Sequence, residues 1–373
     1  MSGAPDIRIP AEILPADGRF GCGPSKVRPE AVAALAAVAP DYLGTSHRQP
    51  RVKDVVAEVR RSLHELFGLP EGWEVLLGNG GATFFWDAAS VGLIERRSQH
   101  LSFGEFSSKF AKAAAAAPHL DDPVVITAEP GSHPVPAPDA SVDAYCLTHN
   151  ETSTGVAMPL VRPDADGLVL VDATSAAGGV RWDPRQVDVY YFSPQKCFAA
   201  DGGLWLACCS PAAIERIERL ADADRWIPDS LSLPTALDNS RKDQTYNTPA
   251  LATLYLLLEQ LRWMLGNGGM AFAAGRSDES STILYQWAER TPYTTPYVAD
   301  PAMRSPVVGT VDFDDAIDAT VVAKALRANG VLDTEAYRKL GRNQLRIGMF
   351  PAIDPADVEA LTASIEYVVA ALA

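Results

Sequence analysis

The sequence predicts an α/β protein built on a mostly parallel sheet of about seven strands, followed by a small α+β region. Three observations lead there. Short apolar runs of strand type alternate with stretches of helical spacing between residues 52 and 265, as expected when crossover helices cover both faces of a parallel sheet. Past Gly266–Gly269 the alternation gives way to about 100 residues of longer helices with two strand-like runs. The chain has 373 residues, 47% hydrophobic and 21% charged, enough to bury two cores. The expected division is a large domain over 16–268 and a small one over 269–373, with residues 1–15 packing on the second.

The elements follow in order. Val55, Val56, Val59, Leu63, Leu66 and Phe67 recur at helical spacing, and Asp54 is the predicted cap. Val75–Leu77 is a short strand, and Gly78-Asn79-Gly80-Gly81 turns the chain into a helix from about Thr83 to Leu93. Gln99–Phe103, Val124–Thr127, Ala144–Thr148, Leu168–Val171, Val187–Phe192 and Gly203–Cys208 read as strands, with a helix at Lys109–Ala117. Ile214–Leu220 and Pro249–Leu265 read as helices, the second opened by an Asn247-Thr248-Pro249 cap. The tail is a helix at Met270–Arg290, a strand at Val307–Phe313, a helix at Ala319–Asn329, a strand around Leu345–Met349 and a helix from Asp357 to Ala371.

Composition narrows the function. Lys plus Arg is 32 and Asp plus Glu is 47, a net charge of −15, which argues against a non-specific nucleic-acid or anionic-membrane binder. Cys22, Cys146, Cys197, Cys208 and Cys209 are odd in number and show no CxxC spacing, so free thiols in a reducing compartment are expected. Residues 1–20 hold no apolar signal core, and Leu251–Leu258 is the longest apolar run. A cytoplasmic protein is the expectation. The six histidines show no metal-ligand spacing, so no metal is expected.

The chemistry concentrates at strand ends. Asp172 closes one buried strand and Lys196 lies four residues past the next. In a parallel sheet both emerge at the edge where ligands bind. A structural ion pair would explain them. So would a pyridoxal 5'-phosphate (PLP) site, where a lysine forms a Schiff base and an acid holds the pyridine nitrogen protonated. Gly78–Thr83 could cradle the phosphate at a helix N-terminus, although a plain tight turn fits it too. Phe106, in Ser102-Phe103-Gly104-Glu105-Phe106, offers a stacking ring. His149-Asn150-Glu151-Thr152-Ser153-Thr154-Gly155 could present a hydroxyl to the cofactor. Two basic clusters stand out. One is His47-Arg48-Gln49-Pro50-Arg51-Val52-Lys53; the other is Arg338, Lys339, Arg342 and Arg346, with no acid from Ala336 to Ile353. Either is a solvated loop or a place for a small polyanion.

Taken together the segments resemble a known family. Gly23-Pro24-Ser25, Ser46-His47-Arg48, Gly80-Gly81-Ala82-Thr83, His149 to Gly155, Val171-Asp172-Ala173-Thr174-Ser175, Ser193-Pro194-Gln195-Lys196 and Tyr246-Asn247-Thr248-Pro249 occur in the order seen in phosphoserine aminotransferases. The chain resembles the actinobacterial branch of that family from about residue 20 to 370. The resemblance implies a fold-type-I PLP enzyme, a homodimer with active sites shared between subunits. Lys196 would carry the Schiff base and Asp172 the pyridine nitrogen. Ala82, Thr83 and Gln195 would hold the phosphate, Phe106 would stack on the ring, and Thr152 would lie near the phenolic oxygen. Asn247 and Thr248 would reach the partner's cofactor phosphate. His47, Arg48 and Arg346 match substrate-binding positions.

Three departures accompany the match. Phe106 stands where the family usually has Trp, Cys22 replaces the Ser of Ser-Gly-Pro, and the usual His-Arg pair for the substrate phosphate is missing. One of Arg338, Lys339 and Arg342 would replace that pair. The implied reaction moves the amino group of glutamate to 3-phosphohydroxypyruvate, giving O-phosphoserine and 2-oxoglutarate in serine synthesis. A related four-carbon phosphorylated substrate of pyridoxine synthesis stays open. The rivals are a serine– or alanine–glyoxylate aminotransferase and a non-catalytic α/β phosphate-binding module.

Overall fold

The computed structural model describes residues 5–223 and 225–372. Nine strands lie in its first two-thirds: β1 (Glu74–Gly80), β2 (Ser98–Ser102), β3 (Val124–Thr127), β4 (Ala144–Thr148), β5 (Asn150–Glu151), β6 (Val156–Ala157), β7 (Leu168–Asp172), β8 (Val189–Phe192) and β9 (Gly203–Cys209). Seven of them form one sheet in the order β1-β9-β8-β7-β4-β2-β3, and β5 with β6 makes a small separate ladder. Strands β3, β2, β4, β7 and β8 run parallel. Only β9 is reversed, antiparallel to both β8 and β1. Strand β1 therefore points the same way as the parallel block. Gly80, Thr148, Asp172 and Phe192 all end on one edge.

Both faces of the sheet are covered, which is why its central strands read as continuous apolar runs. Alternate residues enter opposite cores. Val169, Val171, Tyr190 and Phe192 pack with the helices α2 (Pro50–Phe67) and α7 (Leu251–Gly266). Leu168, Leu170, Val189 and Tyr191 pack with α3 (Ala82–Gly92), α5 (Pro211–Ala221) and α6 (Leu233–Ser240). Two helices complete this part, α1 (Pro29–Tyr42) and α4 (Glu105–Ala116).

Two predicted caps are corrected. Helix α2 starts at Pro50, with Gln49 as its N-cap, so Asp54 lies inside it. The fixed φ of Pro50 is already suited to a first helical position. Helix α7 starts at Leu251 after Ala250 and has no side-chain cap. Thr248 serves something else, described below.

The C-terminal part holds α8 (Gly269–Arg290), β10 (Thr294–Pro296), β11 (Val308–Phe313), α9 (Ala319–Ala328), β12 (Gln344–Gly348) and α10 (Pro355–Leu372). Its three strands form an antiparallel sheet in the order β10-β11-β12. Ile9 and Phe20 are buried in the same core as Leu284, Val322, Leu326 and Leu361. The Ile9 N–H donates to Asn329 Oδ1 at 3.0 Å, and Asn329 returns a bond to the Ile7 carbonyl at 2.8 Å. Phe20 continues the attachment, with its carbonyl accepting from the Gly348 N–H at 2.8 Å. A few residues on, Ser25 N–H donates to the Gln195 carbonyl at 2.9 Å and Ser25 Oγ to the Lys196 carbonyl at 2.7 Å. The N-terminal segment thus runs from the small sheet to the edge of the large one. Among the described residues, no helix is long and apolar enough to cross a membrane.

Candidate active site

A cavity of about 310 Å³ opens at the edge where the parallel strands end. Gly81, Ala82 and Thr83 line it from the start of α3, Phe106 from α4, and Thr152, Asp172, Gln195 and Lys196 from the strand-end loops. Eight of the residues singled out in the sequence therefore meet in one place.

Lys196 is 7% exposed, and its Nζ donates to Thr152 Oγ1 at 3.0 Å. The Phe106 ring centroid lies 5.4 Å from Nζ. Against the other side lies Gly23 (φ +128°), where a Cβ would come within 2.6 Å of Lys196 Cε. Only glycine admits the lysine here, and its positive φ suits no other residue well. Burial lowers the Lys196 amine to about 8; Arg346 pushes the same way, while Cys22 and Asp172 oppose. A buried amine resists the charged form because it loses hydration.

Asp172 is 5% exposed. Its Oδ2 accepts from Trp86 Nε1 at 2.9 Å and its Oδ1 from the Thr174 N–H at 3.0 Å. No ion pair joins Asp172 to Lys196 among the described residues. A structural Lys–Asp bridge is therefore not what holds these two at the sheet edge. Asn150 Oδ1 and Thr174 Oγ1 also belong to cavity-lining residues, are buried, and have no hydrogen-bond partner among the described residues. Helix α3 opens at Gly81 without a side-chain cap, so its first N–H groups are available to an anion. Gln195 Oε1 accepts from the Ser193 hydroxyl.

Arg346, on β12, donates from Nη1 to the Thr152 carbonyl at 3.2 Å. Its guanidinium lies 5.1 Å from the Tyr337 ring centroid, and that ring lies 6.2 Å from Phe106. Its Nε is buried and without a partner among the described residues.

The basic cluster is not free of acid once folded. Lys339 bonds to Glu105, which also pairs with Lys109 at 3.2 Å. Arg342 holds Asp312 of the neighbouring strand, its Nε at 2.9 Å from Oδ2, and lies over Tyr297. The sequence window of 336–353 carries no acid, but antiparallel pairing of Gln344 with Asp312 brings one alongside. Of the three cations proposed for a phosphate, Arg338 alone has no carboxylate partner among the described residues, and it is exposed.

The remaining predicted residues gather elsewhere. Thr248 Oγ1 shares a hydrogen bond with His47 Nδ1 at 3.1 Å, and the Thr248 carbonyl accepts from Asn79 Nδ2 at 3.1 Å. Arg48 reaches Gln244 at 3.5 Å. Asn247 lines a second cavity of about 230 Å³ with Asn79, Gly80 and Tyr246. Within one chain, none of His47, Arg48, Asn247 and Thr248 lines the Lys196 cavity.

Two neighbours take other parts. His149 Nδ1 meets Tyr190 OH at 3.0 Å, and burial lowers its pKa to about 3, so it is neutral at pH 7. Burial pushes the Cys197 thiol up, which makes it inert. Sequence reasoning missed Trp86 and Tyr337. Trp86 reads as one more core aromatic on α3. Its one signal is the polar indole edge, which needs a buried partner.

Comparison with known proteins agrees with this geometry. Residues 138–336 match the aminotransferase class-V family, so sheet and site define a class-V aminotransferase. The chain is 63% identical over 366 residues to the phosphoserine aminotransferase of Rhodococcus jostii, covering 98% of each. It superposes on a phosphoserine aminotransferase from Cytophaga hutchinsonii with a TM-score of 0.85 at 25% identity, covering 94% of this chain and 99% of that one. The PLP-bound phosphoserine aminotransferase of Trichomonas vaginalis shares the fold, with a TM-score of 0.79 at 19% identity, covering 94% of this chain and 99% of that one. The chain belongs to the phosphoserine aminotransferase family.

Proposed function

We propose that the chain is a PLP-dependent enzyme that transfers the amino group of L-glutamate to 3-phosphohydroxypyruvate, forming O-phospho-L-serine and 2-oxoglutarate in serine synthesis. The observation that carries the proposal is one cavity holding a buried amine, a fixed carboxylate and an uncapped helix N-terminus. These residues fit PLP, and the two orphaned oxygens of Asn150 and Thr174 add polar capacity that a ligand can use. Lys196 would hold the cofactor, Asp172 its ring nitrogen, and Ala82, Thr83 and Gln195 its phosphate. Phe106 would cover one face, and Thr152 would reach the phenolic oxygen. When bound, PLP supplies an electron sink for charge at the substrate Cα. Lys196 Nζ then moves the proton, and Phe106 and Tyr337 screen it from water. Arg346 would orient the substrate carboxylate through its buried Nε edge. Arg338 and Lys339 would meet the substrate phosphate, Lys339 on leaving Glu105.

The test is spectroscopic. Glutamate is expected to discharge the visible band of the PLP-loaded protein, and 3-phosphohydroxypyruvate to restore it far faster than glyoxylate does. Arg338→Ala is expected to raise the apparent KM for the phosphorylated acid about tenfold. The glutamate half-reaction should change little, since glutamate has no phosphate. Equal speed with glyoxylate would favour the glyoxylate-type rival, and no band at all the non-catalytic one.

The pH dependence follows from Lys196. Only the neutral amine attacks an aldehyde, so the rate at which the unloaded protein captures PLP should rise about tenfold per pH unit below about 8 and level off above it. A rate still climbing at pH 10 would show an ordinary lysine. The sign for stability is the same. Lys196 is held below its unfolded value, so between about 8 and 10.5 the unfolded chain binds more protons and the unloaded protein gains stability as pH rises.

The site would be completed by a second copy of the chain. His47 is bonded to Thr248 and Arg48 to Gln244, Asn247 lines the second cavity, and none of the four lines the Lys196 cavity, which supports delivery to a partner. Mixing inactive Lys196→Ala chains with inactive Thr248→Ala chains should restore about a quarter of sites on random assortment, and up to about half if mixed dimers dominate. No recovery despite demonstrated subunit exchange would count against sharing.

A further inference from the structure

Glu151 takes no part in the chemistry above, yet it is wholly buried beside it. Its carboxylate accepts five hydrogen bonds. Three come from the start of α4: Phe106 N–H at 3.1 Å, Ser107 N–H at 2.9 Å and Ser107 Oγ at 2.9 Å. Two come from the loop beyond β5: Ser153 N–H at 3.2 Å and Ser153 Oγ at 2.7 Å. Ser153 Oγ in turn accepts from the Glu105 N–H at 3.0 Å. No Lys or Arg is paired with Glu151 among the described residues. Its partners are the N–H groups of a helix N-terminus and two hydroxyls, which is where a buried anion is tolerated. The approach depends on Gly104, where a Cβ would lie 2.3 Å from Glu151 Cγ and 2.7 Å from Ser153 Oγ.

The two groups of donors belong to the two walls that confine Lys196. Helix α4 carries Phe106, whose ring centroid is 5.4 Å from Nζ. The loop carries Thr152, whose hydroxyl accepts from Nζ and whose carbonyl accepts from Arg346. We propose that Glu151 is a positioning residue. It fixes the Phe106 wall against the Thr152 wall, so that the amine stays between ring and hydroxyl and Arg346 stays in register with both. The proposal rests on the PLP reading of the site, and it adds a residue that touches neither cofactor nor substrate.

The test uses PLP-loaded protein. Glu151→Gln keeps the shape but puts an NH₂ where donors already converge, so the Ser107 or the Ser153 N–H loses its acceptor and a serine hydroxyl must turn. The expected result is a fall in kcat of about tenfold or more with KM values changed much less. The pH midpoint of the visible band should shift as well, because Thr152 loses its fixed place against Lys196. A lowered melting temperature with kcat and midpoint unchanged would overturn the proposal, since a merely structural residue behaves that way. If Glu151→Gln does not fold, Ser107→Ala and Ser153→Ala each remove one donor from one wall. A several-fold loss of kcat with a shifted midpoint in either supports the proposal, and wild-type values in both overturn it. A wild-type protein that forms no visible band with PLP would instead sink the functional reading.

Discussion

Lys196→Ala is expected to reduce amino transfer by at least about a thousandfold, the upper part of the range for a positioned general base. Two roles are lost together. The amine is buried, held by Thr152 and lowered to about 8, so at neutral pH a useful fraction is already neutral and nucleophilic. On the proposed reading, the same atom would carry the proton in each half-reaction. Borohydride reduction of the PLP-loaded wild type should fix the cofactor on the peptide containing Lys196. A label on another lysine, or turnover within about tenfold of wild type in the variant, would refute the assignment.

Asp172→Asn is expected to lower kcat about a hundredfold while PLP remains bound, the effect of a charge-assisted bond of about 3 kcal/mol. The variant keeps the outline of the side chain and can still accept from Trp86 Nε1 or from the Thr174 N–H. What is lost is the negative charge that would face the ring nitrogen, together with one of these two acceptors. Retained PLP absorbance with slow turnover is the expected pair of readings. Near-normal turnover would mean that Asp172 serves the sheet edge and Trp86 rather than the cofactor.

The large sheet was legible because its strands are short apolar runs buried on both faces, as at Leu168–Val171. Asp172 and Lys196 were legible for a related reason: a charged side chain ending such a run must surface at the strand-end edge. Contrast was missing elsewhere. Helix α1 is Pro29-Glu30 followed by a run of Ala and Val with Pro40 inside it, and its apolar pattern has no clear face. Helix α6 has eight residues, among them Pro, Thr, Asp, Asn and Ser, and reads as loop. Other features depended on contacts that no local rule contains. Thr248 precedes a proline and looks like a cap, yet its hydroxyl is taken by His47, 201 positions away. Arg342 looks unpaired until β11 lies beside β12. Trp86 and Glu151 have ordinary local explanations, as a core aromatic and a turn acid. Trp86 meets Asp172 at the end of β7 and Glu151 meets the start of α4, neighbours that only the folded sheet brings together.

The attachment of the N-terminal segment bears on when during synthesis the site can exist. Gly23 and Ser25 lie against Lys196, while residues 7–20 are anchored to Asn329 and Gly348. Residues 7–20 must therefore wait for Asn329 and Gly348 to be made before they have a place to bind. Such distant closures are slow steps in folding. Until residue 348 has emerged, the lysine pocket lacks both its anchored N-terminal wall and Arg346. A chain released early, even with its whole large sheet, would present an open pocket and no competent site. Activity thus reports that synthesis has passed residue 348.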